Sequence, residues 1–119
     1  MQNLEKIIEL EYQLTDLVTE EIAKLESIDL VPQNLSEQDD EFYDWFSVLP
    51  IVKYEEDNYY ITRIKKTTKY GLLLDGRNVD DLKCDMEFSV HELSLLKKIS
   101  LLKCVRDIKE HNEKISQTI

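Results

Sequence analysis

The chain has 119 residues, of which 42% are hydrophobic and 34% are charged, and its formal net charge is −10. This length predicts one domain, residues 1–119, whose hydrophobic core needs neither a metal ion nor a disulfide for stability. The longest apolar runs, such as Leu72–Leu74, are too short for a membrane-spanning helix, and the first residues lack the pattern of a signal peptide. We therefore expect a cytoplasmic protein that does not bind membranes.

The charge is divided unevenly along the chain. Residues 1–57 contain 16 acidic and 3 basic side chains, a net charge of −13, whereas residues 58–119 contain 9 acidic and 12 basic ones, a net charge of +3. Such a separation is more typical of an electrostatic binding surface than of a reaction centre.

Residues 3–27 have the apolar periodicity of a long amphipathic helix that ends before Pro32, with Asn3 as its N-cap. Acidic side chains occupy the rest of its circumference. Because carboxylates on a rigid helix complement a basic protein surface, Glu9, Asp16 and Glu20 are candidate partner-binding residues. The alternative is a solvated face whose charge is balanced by a basic C-terminal helix.

The apolar stripe of this helix is longer than a small sheet can cover. It comprises Leu4, Ile7, Ile8, Leu14, Leu17, Val18, Ile22, Leu25 and Ile28. Its first turns, with Leu4, Ile7 and Ile8, are therefore predicted to pair with a second copy of the chain, unless the whole stripe packs on its own domain.

A short second helix is predicted before Pro50. The segment Ser36–Asp39 resembles a capping box, with Ser36 as the N-cap. The helix carries four aromatic residues, for which a place in the core is the expected role: Phe42, Tyr43, Trp45 and Phe46. Asp40 and Glu41 extend the set of candidate partner-binding acids.

The period then changes from that of helices to that of strands. Residues 51–55, 59–66 and 70–74 are rich in β-branched and aromatic residues, and residues 82–88 alternate in polarity. Turns are expected at residues 56–58 and at the dipeptide Asp75-Gly76. These patterns predict an antiparallel meander of three or four strands.

The second hairpin strand carries cations interleaved with aromatic rings, the combination that a single-stranded nucleic acid requires. The residues of this alternative surface are Tyr59, Arg63, Lys65, Lys66, Lys69 and Tyr70. The net charge of −10 repels a polyanion, and edge strands also carry lysines that prevent aggregation, so nucleic-acid binding is the secondary hypothesis.

A capping box at Ser89–Glu92 predicts a C-terminal helix packed on the sheet. Its expected buried stripe is Leu93, Leu96, Ile99, Leu102, Val105 and Ile108, widened by Leu95, Leu101 and Cys104. The predicted fold class is α+β: a long helix, a short helix, the meander and this final helix.

Two cysteines and two histidines are the only candidates for metal or thiol chemistry. His91 and Cys104 are 13 residues apart on one predicted helix, roughly 20 Å, so they cannot share a zinc ion. Cys84 fits the apolar side of the alternating segment 82–88, and Cys104 fits the widened apolar face of the C-terminal helix, which predicts buried structural thiols; His91 and His111 are expected to be solvated. We predict no catalytic residue, no metal and no cofactor.

These observations favour a small, acidic, non-enzymatic protein-binding module. It is expected to occlude a basic surface on a partner protein, as an inhibitor, an immunity protein or a counter-defence protein would. The alternative is a nucleic-acid-binding accessory protein that uses the hairpin at residues 59–70.

Overall fold

The computed structural model describes residues 2–117 and confirms the α+β class. Three helices and a five-stranded sheet follow one another along these residues. They are α1 (Gln2–Ala23), β1 (Ile28–Asp29), α2 (Asp40–Phe46), β2 (Ile51–Tyr54), β3 (Asp57–Thr67), β4 (Gly71–Asn78), β5 (Asp85–Ser89) and α3 (Leu95–Gln117). None of these helices is long and apolar enough to cross a membrane.

Strand β3 is the centre of an antiparallel sheet. It pairs with β4 along one edge and with both β1 and β2 along the other, and β5 pairs with β4. One face of this sheet supplies the core, where Ile61, Ile64 and Leu74 are fully buried. From α3, Leu101 and Ile108 join the same cluster, so the sheet has one face covered by a helix, as an antiparallel sheet requires.

The first helix ends four residues earlier than its apolar period predicts. After Ala23 the chain leaves the helix, and Ile28 pairs with Ile64 of β3. The hydroxyl of Ser27 accepts a hydrogen bond from the backbone N–H of Lys66, at 2.8 Å. Ser27 and Ile28, which the apolar period assigned to the first helix, therefore contact β3 instead.

Both capping boxes form tight turns instead of starting the predicted helices. The carboxylate of Asp39 accepts a bond from the N–H of Ser36 at 2.9 Å, and α2 begins at Asp40. Ser89 caps a single 3-10 turn, Val90–Glu92, after which the backbone is extended at the buried Leu93. Helix α3 starts later, where the hydroxyl of Ser94 accepts from the N–H of Lys97 at 3.3 Å.

The predicted turn at Asp75-Gly76 is wrong, because both residues lie inside β4. An added Cβ at Gly76 would lie 2.8 Å from the ring of Phe88 and 3.2 Å from Cβ of Tyr59. Glycine is needed here for close packing and not for a turn. The chain turns after Asn78, whose side-chain oxygen accepts a bond from the N–H of Asp80 at 2.8 Å.

Helices α1 and α3 run in the same direction. Residues 7–15 of α1 line a groove with residues 94–96 at the start of α3, and Glu21 lines another with Leu102 and Arg106 further along. Only Val18 and Ile22 of α1 are buried. The earlier turns of α1 thus contribute no buried side chain to the core.

Candidate protein-binding surface

Helix α1 has two long surfaces. At about 100° per residue, Leu10, Leu14 and Leu17 fall within a sector of roughly 60°, and Glu9, Asp16 and Glu20 fall within one of roughly 40° whose centre lies roughly 110° away. We call the first the apolar face, which comprises Leu4, Ile7, Leu10, Leu14 and Leu17, and the second the acidic face, which comprises Glu9, Asp16 and Glu20. All members of both faces are exposed.

The acidic face carries uncompensated charge. Within residues 2–117 no ion pair involves Glu9, Asp16 or Glu20, and the only side-chain hydrogen bond to them runs from Gln13 to Glu9, at 3.4 Å. At 1.5 Å per residue the three carboxylates follow one another along the helix at intervals of roughly 10 and 6 Å. A rigid helix therefore holds them in a fixed row.

The other two predicted partner-binding acids lie on a separate element. Asp40 and Glu41 are exposed in the first turn of α2. This helix is anchored through Trp45, whose indole N–H donates to the carbonyl of Leu30 at 2.6 Å, and through Phe46, whose ring lies 5.2 Å from that of Tyr60. The five predicted acids consequently form two groups on two helices.

The alternative nucleic-acid surface is divided among three places. Tyr59 is buried, with only 5% of its surface accessible. The register of β3 places Arg63 and Lys65 on the outer face of the sheet and Lys66 on the opposite face. Lys69 and Tyr70 lie at the hairpin turn, where the ammonium is 5.2 Å from the ring centroid.

The cations of β3 and β4 are all paired with carboxylates. Arg63 pairs with Asp29 at 3.3 Å, and Lys66 pairs with Glu26 at 2.9 Å. Lys65 pairs with Asp75 at 3.2 Å and also with Glu87. Arg77 pairs with Asp85 at 3.9 Å. Hydrogen bonds to Glu87 and then Asp75 raise the pKa of Lys65. The positive charge of the sheet is thus largely neutralised within the molecule.

An open cleft of about 430 Å³ lies over the outer face of the sheet. Phe42 and Phe46 of α2 form its apolar side, and Arg63, Asp75 and Arg77 form its polar side. No sequence pattern pointed to this cleft, because Asp75 was predicted to lie in a turn and the strand was predicted to end before Arg77. Since each of these charges has a partner, the cleft is close to neutral.

The two cysteines have different environments. Cys104 is buried as predicted, and its Sγ donates to the carbonyl of Val48 at 3.1 Å. Burial, and secondarily the charge of Asp107, raises its pKa from 9.0 to about 11. The prediction for Cys84 is wrong: it lies in the turn before β5, where its N–H donates to the carbonyl of Asp81 at 2.9 Å, and it is exposed.

The histidines also differ from each other. His91 is exposed as predicted, but His111 is half-buried, because its ring lies 5.1 Å from that of Trp45 and its Nε2 is 3.1 Å from Oδ1 of Asn34. In residues 2–117 no group of three His, Cys, Asp or Glu side chains is arranged to hold a metal ion.

A groove joins the apolar face of α1 to the start of α3. Ile7, Leu10 and Leu14 line one side, and Leu95 and Leu96 line the other. Leu96 is 76% exposed, so its predicted place in the buried stripe of α3 is wrong. The buried stripe of α3 comprises Leu101, Cys104, Val105 and Ile108. At about 100° per residue Leu96 lies roughly 130° around the helix from the centre of this stripe, because a strict spacing of three drifts around a helix with 3.6 residues per turn.

The chain matches no protein-family model, and comparisons with curated proteins and with solved structures gave no significant match either.

Proposed function

We propose that this protein is a non-catalytic protein-binding module whose acidic face docks on a basic surface of a partner protein and occludes it. The observation that carries the proposal is a contrast in charge pairing. The cations of β3 and β4 are held in ion pairs, whereas Glu9, Asp16 and Glu20 enter none within the described chain. An inhibitor, an immunity protein and a counter-defence protein all act by such occlusion.

The geometry of α1 supports rapid electrostatic association. The helix carries six acidic residues and one lysine, so its negative potential extends beyond its own surface by about one Debye length, roughly 8 Å at physiological salt. A potential of this kind increases the association rate with a basic partner and makes that rate sensitive to ionic strength. Asp40 and Glu41 provide a second, smaller acidic contact on α2.

The chemistry of the thiols and imidazoles supports a binding role over an enzymatic one. The thiol of Cys104 has a raised pKa and donates a hydrogen bond to the carbonyl of Val48. Both features keep it neutral and therefore a poor nucleophile. The ring of His111 packs against Trp45 and is bonded to Asn34. The exposed free thiol of Cys84 is compatible with the reducing cytoplasm, the compartment we propose.

Nucleic-acid binding through the hairpin has less support. A stacking surface needs accessible rings and cations that are free to contact phosphate. Tyr59 is buried, and Arg63, Lys65 and Lys66 are paired with carboxylates, so that Lys69 and Tyr70 alone retain the required chemistry.

The test compares two triple variants with the same change in net charge. E9Q/D16N/E20Q neutralises the acidic face, and E37Q/E56Q/D80N neutralises exposed acids elsewhere. A partner is first recovered with the wild-type chain from lysate of the source cell, identified and purified. Its association rate is then measured against salt concentration by stopped flow.

We expect the acidic-face variant to associate about tenfold more slowly at low salt and with a flatter salt dependence. The control variant should remain close to wild type. Equal rates for the two variants would overturn the assignment of the acidic face. Binding of a single-stranded oligonucleotide that is abolished in K69Q/Y70A would instead support the alternative function.

A further inference from the structure

Helices α1 and α3 together expose a continuous apolar surface. Ile7, Leu10 and Leu17 of α1 are 59%, 53% and 60% exposed, and Leu96 across the groove is 76% exposed. Soluble monomers rarely leave so many large aliphatic side chains together in water, and surfaces that do so usually bind another protein.

We propose that a second copy of the chain covers this surface, with α1 of each copy packed on α3 of the other. The charges of the two helices favour this occupant. Helix α1 has a net charge of −5, from six acidic residues and one lysine, whereas α3 has a net charge of +3, from six basic and three acidic residues. One layer of two helices thus carries both signs side by side, which is the condition for self-complementarity.

The charge also selects the direction of the two-fold axis. An axis along the helices brings each α1 onto the α3 of the other copy, so that opposite charges alternate around four helices. An axis across the helices would bring α1 onto α1 and place two helices of charge −5 in contact. Like charges facing each other in an interface are destabilising, so the first arrangement is favoured.

The first arrangement also matches charged side chains along the helices. Glu21 lies at the level of Arg106 in one copy, because both line the same groove beside Leu102. A two-fold axis parallel to the helices preserves this level, so Glu21, which pairs with Lys24 of its own copy at 3.2 Å, comes to the level of Lys103 and Arg106 of the other copy. Lys103 and Arg106 are both exposed.

This inference goes beyond the proposed function and is compatible with it. At about 100° per residue the centre of the acidic face lies roughly 90° around α1 from Leu10 and Leu17, so a dimer built on the apolar face places Glu9, Asp16 and Glu20 at the rim of the interface, where a partner can still reach them. The dimer would present two acidic faces to its partner, which raises its avidity for a partner with two basic sites.

The first experiment measures the mass of the full chain by sedimentation over the micromolar range. We expect a dimer that dissociates on dilution. L17Q/L96Q removes one exposed leucine from each helix and should raise the dimer dissociation constant at least about tenfold. The control Y70Q changes an aromatic residue that is 66% exposed on the hairpin turn and should leave dimerisation unchanged.

The second experiment reverses the charge of each helix separately. E21K reverses the charge of α1 at the level of Arg106, and K103E/R106E reverses that of α3 at the same level; each variant alone should dimerise at least about tenfold more weakly than wild type. An equimolar mixture should recover heterodimers, since the new positive charge at position 21 of one copy then meets the new negative charges at positions 103 and 106 of the other, while the unchanged α3 of the first copy meets the unchanged α1 of the second. Neither variant changes the acidic face.

The outcomes separate this inference from the proposed function. A wild-type chain that remains monomeric throughout the range would overturn the dimer. Loss of binding to the purified partner in L17Q/L96Q, with wild type monomeric, would assign the apolar face to that partner. Unchanged dimerisation of K103E/R106E would overturn the pairing of α1 with α3. E9Q/D16N/E20Q should remain dimeric even if it no longer binds the partner.

Discussion

Helices α1 and α3 have nearly the same length, 22 and 23 residues, and both carry an apolar stripe, but their stripes have different surroundings. Helix α3 buries Leu101 and Ile108 almost completely, whereas α1 leaves Leu10 and Leu17 more than half exposed. The periodicity of a stripe tells which side of a helix is apolar. It does not tell whether the same chain provides a surface to cover that side.

The difference follows from the size of the sheet. The five strands offer one core face, and α3 occupies much of it. Helix α1 reaches the core only through Val18 and Ile22, in its last two turns. Its earlier turns remain available for contacts with other molecules.

The largest expected effect comes from truncating one leucine on each helix. Leu101→Ala removes a side chain with 0% exposure and should lower the unfolding free energy by about 2–5 kcal/mol. Leu17→Ala, at a position 60% exposed, should cost less than about 1 kcal/mol. Urea denaturation at a concentration where the chain is monomeric provides the measurement. Similar losses for the two variants would contradict the contrast between the helices.

A smaller effect is expected in the sheet beneath α3. Gly76→Ala places a methyl group 2.8 Å from the Phe88 ring, and the displacement of that ring should cost about 1–3 kcal/mol. Gly71→Ala meets no atom within 4 Å, and its φ of +71° alone should cost about 1 kcal/mol. Thermal unfolding of both variants gives the comparison. If Gly76→Ala were the milder change, the close packing under α3 would be disproved.

The smallest effect concerns the buried thiol of α3. The folded-state pKa of Cys104 is about 11 against an ordinary 9.0, so the folded state retains the thiol proton longer than the unfolded state does. The contribution of the Cys104 thiol to the unfolding free energy should be constant below pH 9.0. It should fall as the pH rises toward 11, by about 1 kcal/mol per pH unit at most.

The control for this titration is Cys104→Ala, which loses packing but also loses the thiol. The raised pKa of Lys65 means that its ion pairs weaken only above pH 10.5. Lys65 contributes equally to both proteins, so its effect cancels in the comparison. A steeper alkaline decline in wild type than in Cys104→Ala is the expected result. Parallel declines would show that the thiol is not protected by burial.

Several sequence predictions were correct because local chemistry decides them. The α+β class, the long first helix, the three central strands and the burial of Cys104 follow from period, propensity and composition. The errors concern boundaries and environment. Asp75-Gly76 has turn chemistry, but tertiary packing of Phe88 against Gly76 places it within a strand. Cys84 matches a buried alternation, but β5 begins one residue later.

The candidate surfaces also have some properties that depend on local sequence and others that depend on tertiary contacts. The acidity of α1 and the presence of an apolar stripe are properties of residues 2–23 alone, and any helix with this sequence would have one apolar and one acidic face. The tertiary fold brings the cations of β3 and β4 to carboxylate partners, whereas within the described residues 2–117 it brings no cation to Glu9, Asp16 or Glu20. Sequence fixes the pattern on each element, because that pattern depends on neighbours along the chain. Whether another element covers or neutralises a face depends on strands and helices that are distant in sequence, and these come together only when the chain folds.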